Sequence, residues 1–168
     1  NGMAVTSAEN VYPVIRVQNG ANVTVIGEGS IENAADYVFV LGSSDKETSG
    51  NLTIENGTFT GMTTVASVTK GLLTINGGEF KVKDGEYGST YLINCIDANY
   101  PATANVSITG GKFYSFNPEN NAVEGAGTDF CPDGYAVVYN DVEDSYTVVK
   151  AVAKIDEKYY ATLPAAVE

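Results

Sequence analysis

GNLTIENGTF at 50–59 and GLLTINGGEF at 71–80 decide the fold. Each reads as an apolar–Thr–apolar strand, a turn with glycine, and then Phe. ANVTVIGEGSI at 21–31 and ANVSITGGKF at 104–113 carry the same phrase. Such self-similarity is the signature of a stacked repeat. The central strand residues Val25, Ile54, Ile75 and Ile108 recur at uneven intervals, so the strands are constant and the loops vary.

A second apolar phrase precedes each copy, at 14–17, 38–41, 65–68 and 93–96. A third short piece surrounds Ile31, Phe59, Phe80 and Phe113. Each unit therefore predicts three short strands, and no stretch sustains a helical apolar period. Three short strands cannot bury their own apolar side. Stacking equivalent strands in parallel buries it and sets like residues over like. The expectation is an aliphatic column of Val25, Ile54, Ile75 and Ile108 beside an aromatic column of Phe59, Phe80 and Phe113, with Ile31 as its end member. Gly57, Gly78 and Gly111 fall on one aligned turn position, where positive φ excludes most residues. The first copy has one extra residue at its turn, Gly27-Glu28-Gly29, which predicts a bulge. Asn22, Asn51 and Asn105 also align, with Leu72 as the exception. They form either an amide ladder or simple turn residues.

At 168 residues the chain has the length of one domain. Net charge is −12, from 21 acidic and nine basic residues. That balance argues against nucleic acid and against an anionic membrane surface as partners. No apolar run is long enough to span a bilayer, so membrane insertion is not expected. The chain opens on Asn1-Gly2, read as the tail of a strand whose start is missing, with an uncapped first coil. Such an edge predicts end-to-end self-contacts in crystals. Cys95 and Cys131 lie about one repeat apart and admit either a bridge or two free thiols, the free state being expected.

These phrases, with FNPENNAVEGAGTDFCPDGYAVVYNDVEDSYTVVK at 116–150, resemble the right-handed parallel β-helix (pectin-lyase-like) repeat modules of large secreted or surface proteins of gut bacteria. The resemblance implies an all-β, short, single-stranded right-handed parallel β-helix of about four coils. It implies that 1–150 is the module, ended by a capping segment at 116–150, and that 151–168 opens a following module or forms a tail. In that opening a short strand and turn lead to a helix, with Thr162 as N-cap and Pro164 and Ala165 in its first turn.

Many β-helix proteins degrade polysaccharides, which needs clustered carboxylates and often a basic residue. Here histidine is absent, Arg16 is the single arginine, and no aligned strand carries two or three Asp residues. No catalytic residue is assigned. Calcium, a conceivable cofactor, would draw on Asp141, Glu143 and Asp144, or on Asp129 and Asp133. Neither set follows a known calcium loop, and turn formation explains both. Tyr87, Tyr91, Tyr100 and Tyr114 lie in or beside the longest loops and are the candidate ligand-binding residues. Tyr135, Tyr139 and Tyr146 belong to the terminal segment and are expected to cover the stack end. The expected function is non-catalytic display or adhesion outside the cell, secreted or at its surface, toward polysaccharide or a host glycan or protein. The alternative is an ancillary or degenerate part of a polysaccharide lyase or hydrolase.

Overall fold

The computed structural model describes residues 4–7, 13–43, 48–83 and 88–167, with residues 4–7 as backbone alone. Asn1 and Gly2 lie outside these residues. The chain is all-β. After β1 (Ala4–Ser7), the first unit supplies β2 (Ile15–Val17), β3 (Ala21–Val25) and β4 (Ser30–Asn33). The second supplies β5 (Phe39–Leu41), β6 (Gly50–Ile54) and β7 (Thr58–Gly61). The third supplies β8 (Ala66–Val68), β9 (Gly71–Ile75) and β10 (Glu79–Val82), and the fourth β11 (Ile93–Cys95), β12 (Ala104–Ile108) and β13 (Lys112–Tyr114). Each unit gives one strand to each of three sheets: β2-β5-β8-β11, β3-β6-β9-β12 and β1-β4-β7-β10-β13, all paired in parallel.

The registers match the repeat phrase residue for residue. Val25, Ile54, Ile75 and Ile108 are successive partners, and the last three are fully buried. Ile31, Phe59, Phe80 and Phe113 are likewise successive partners. The Phe59 and Phe80 rings lie 5.2 Å apart, and Phe80 and Phe113 4.9 Å apart, stacked. Such pairs add about 0.5–1.5 kcal/mol each beyond the area they bury. Ile31 does not end this sheet: β1 pairs beyond it, with Val5 in register. Sequence reading missed β1 because it carries no copy of the phrase.

Turn geometry explains the aligned glycine. Gly78 has φ +101°, and a Cβ there would approach the Gly57 carbonyl oxygen to 2.9 Å and the Phe59 ring to 3.3 Å. The extra residue of the first copy is absorbed between β3 and β4, leaving Ile26 largely exposed at 76%.

The asparagine alignment yields one rung. Asn51 Nδ2 donates to Asn22 Oδ1 at 2.9 Å. At the next level Leu72 interrupts, and Asn51 Oδ1 accepts from the Leu72 backbone N–H at 3.0 Å. Asn105 turns inward on its own strand, accepting from the Val106 N–H at 2.8 Å. Replacing Asn51 by Ala removes both inter-unit bonds; the expected loss is about 1 kcal/mol in urea unfolding.

The segment after β13 closes the stack in two ways. Strands β14 (Tyr135–Asn140) and β15 (Ser145–Lys150) form an antiparallel hairpin, and β15 pairs antiparallel with β13. The hairpin thus prolongs the third sheet. Tyr146 sits opposite Phe113, and Tyr139 packs on Tyr146 at 4.7 Å. The 117–134 loop closes the other two sheets. The Phe130 carbonyl accepts from Ile108 N at 2.9 Å, covering the edge of β12. Glu124 Oε1 accepts from Cys95 N at 2.9 Å, covering the edge of β11. Buried Asn121 shapes this loop, donating to the Thr128 carbonyl at 3.0 Å and accepting from Val123 N at 3.2 Å. An edge closed in this way offers no donors to a foreign strand.

A separate hairpin follows, β16 (Ala153–Ile155) with β17 (Lys158–Tyr160), then the four-residue helix α1 (Leu163–Ala166). Thr162 is its N-cap, accepting from Ala165 N at 3.3 Å, with Pro164 in the first turn.

Candidate functional site

The four candidate tyrosines do not share one surface. Tyr87 lies outside the described residues. Tyr91 is exposed in the turn before β11. Tyr100 is half-buried, its ring edge-on to Phe130 at 5.9 Å, and burial pushes its hydroxyl upward. That contact makes it an anchor for the capping loop. Tyr114 belongs to β13 in the third sheet, with the Lys112 ammonium 5.0 Å from its ring centre. Arg16 is exposed on β2, opposite Val40.

The hairpin acids are occupied by the turn itself. Glu143 Oε2 accepts from Lys112 Nζ at 2.6 Å and from Asn140 Nδ2 at 3.0 Å. Asp144 accepts from the Ser115 hydroxyl and, at 3.1 Å, from the Tyr139 hydroxyl. Among the described residues no group of three or more His, Cys, Asp or Glu is arranged to hold a metal ion. Cys95 and Cys131 are free thiols. Burial pushes the Cys95 thiol up to about 12, and pushes Cys131 up as well. Both therefore stay protonated and unreactive at neutral pH.

The largest concave surface lies between the capping segment and the β16–β17 hairpin. Its deeper part, of about 460 Å³, is lined by Glu119, Asp129, Asp133 and Tyr135 on one side. Asp156, Glu157, Lys158 and Tyr160 line the other. A second part of about 350 Å³ shares Glu119, Lys158, Tyr159 and Tyr160 with the first. The groove is lined by none of the four tyrosines singled out in the sequence.

Five carboxylates face one lysine in the deeper part. Asp129 Oδ1 accepts from Cys131 N at 2.7 Å, yet burial holds its carboxyl above the usual range, and the charges of Glu119 and Asp133 push the same way. Glu119 Oε2 accepts from Val137 N at 3.1 Å, which also blocks the free edge of β14. Two tyrosine faces already carry cations: Lys154 Nζ is 4.8 Å from the Tyr159 centre, and Lys158 Nζ is 5.3 Å from the Tyr160 centre. Aromatic faces beside carboxylate acceptors suit a hydroxyl-rich or amine-bearing ligand, and the negative field repels an anionic one.

No protein-family model, curated protein or solved structure matches the chain.

Sequence reasoning missed the groove because its walls lie outside the repeat phrase. The available signals were Asp129 and Asp133 flanking Cys131, and the adjacent pair Tyr159-Tyr160.

Proposed function

We propose that this chain is a non-catalytic module of a secreted or cell-surface protein, built as a short right-handed parallel β-helix that displays a binding groove. Three parallel sheets, each taking one strand from every unit, support the helix. The observation that carries the adhesive reading is the tyrosine- and carboxylate-lined groove at the capped end of the stack. A stiff scaffold that positions such a surface suits display. Its ligand is a neutral or amine-bearing polysaccharide, or a host glycan of that character.

A glycan array that includes neutral, amino and acidic polysaccharides tests this. Binding is expected to neutral or amino glycans, with affinity falling about tenfold in Tyr160→Ala, as loss of an aromatic contact of roughly 1.4 kcal/mol implies. Tyr91→Ala is expected to bind as the parent does. Loss of binding in Tyr91→Ala with retention in Tyr160→Ala would return the site to the loops. A blank array would leave a spacer without this ligand class.

A further inference from the structure

We propose that the Glu124 carboxyl is a proton-operated clasp that fastens the 117–134 loop to the terminal edge of β11. Its Oε1 accepts from the Cys95 backbone N–H at 2.9 Å, across 29 residues of sequence. This bond closes the one β11 donor that the loop covers with a side chain. The second oxygen, Oε2, is buried and meets no donor among the described residues. The Asp97 carboxyl, in the turn after β11, stands within hydrogen-bonding reach of the Glu124 carboxyl. Two carboxylates cannot hydrogen-bond to each other; one proton between them lets them do so.

The surroundings offer no counter-charge. The groups that interact with Glu124 are Asp97 and Tyr100 from the turn after β11 and Cys95 from β11 itself. Asp129, in the same loop, acts on Tyr100 from the other side. Burial and neighbouring acids raise the Cys95 thiol and the Tyr100 hydroxyl, so both remain neutral through the physiological range. Only the carboxyls change state there. Burial comes first, then the Asp97 contact, in pushing Glu124 up to about 7.

The direction follows. The closed loop holds a proton that the open loop releases, so closure is strongest in acid. It weakens as pH rises from the ordinary carboxylate range to about 7, and levels off above that. Acid tightens the cap; neutral and alkaline solution loosens it. The loosened state exposes the Cys95 N–H and the β11 edge while the hairpin on β13 stays in place.

Two readouts on the intact chain test this: a carbon-detected carboxyl titration, and the Cys95 amide protection factor from pH 5 to pH 8. Glu124 is expected to titrate near neutrality. Cys95 protection is expected to fall about tenfold over that range, relative to an amide in β9. In Glu124→Gln the amide oxygen still accepts from Cys95 and the amide nitrogen donates to Asp97, so protection is expected to stay constant with pH. In Asp97→Asn the Glu124 midpoint is expected to move toward the ordinary range. A Glu124 midpoint in that range in the parent, or equal pH dependence in parent and Glu124→Gln, overturns the clasp.

Discussion

Phe80→Ala is expected to remove most of the stability of the stack. Phe80 is fully buried and is the middle ring of the aromatic column, stacked on Phe59 at 5.2 Å and on Phe113 at 4.9 Å. Truncating a buried Phe costs about 3–5 kcal/mol. A domain of this size has about 5–15 kcal/mol to lose. The cavity cannot close readily, because the units above and below are held apart by parallel ladders on both sides of β10. Urea unfolding followed by tyrosine fluorescence is the measurement. The midpoint is expected to fall by a third or more, with Phe80→Leu recovering about half of the loss. A shift below about 1 kcal/mol would mean that the column is not the keel of the fold.

Gly71→Ala is expected to be of similar severity for a different reason. Gly71 opens β9 with φ +117°, and a Cβ there falls on the carbonyl oxygen of Gly50, its register partner in β6. The obstacle is backbone, and it is pinned. Gly50 N donates to the Lys70 carbonyl at 3.2 Å, and Gly71 N to the Thr103 carbonyl at 2.8 Å. Relief requires two units to move apart, at an expected cost of about 3–5 kcal/mol from clash and positive φ together. Gly20→Ala separates the two terms. Gly20 has φ +74°, and a Cβ there would meet nothing within 4 Å, so only the conformational cost of about 1 kcal/mol applies. Equal losses in the two variants would show that close approach of the units contributes nothing.

The two glycines also show how far the sequence could be read. The repeat phrase exposed the strand positions and their register, because stacking forces chemically similar residues onto one line. Val25, Ile54, Ile75 and Ile108 align in sequence and in space for the same reason. The one-rung limit of the asparagine ladder was visible only in outline. Leu72 marked the break, but the turn of Asn105 toward its own strand depends on β12 being the last of its sheet.

The candidate site was far less legible. Its walls come from Glu119, Asp129 and Tyr135 in the cap and from Tyr159 and Tyr160 in the following hairpin, segments that no internal copy explains. The sequence predicts a single short strand before Thr162, whereas the chain folds back once more as β16 and β17. That extra turn builds the far side of the groove. Glu124 stands alone between Val123 and Gly125, and a lone glutamate in a loop carries no signal of the backbone edge that it covers. The four loop tyrosines stand out by residue type, yet Tyr100 spends its ring on holding Phe130.

The closed far edge has a mechanical corollary. Strand β16 pairs with β17 and not with the sheet that ends in β14, so backbone pairing stops at the cap. Chain that continues beyond this point cannot lengthen the same column; it must nucleate another. Tandem copies of such a unit would behave as beads on a jointed string, each rigid within itself and free to pivot at its neighbour, and their reach would be set by the joints.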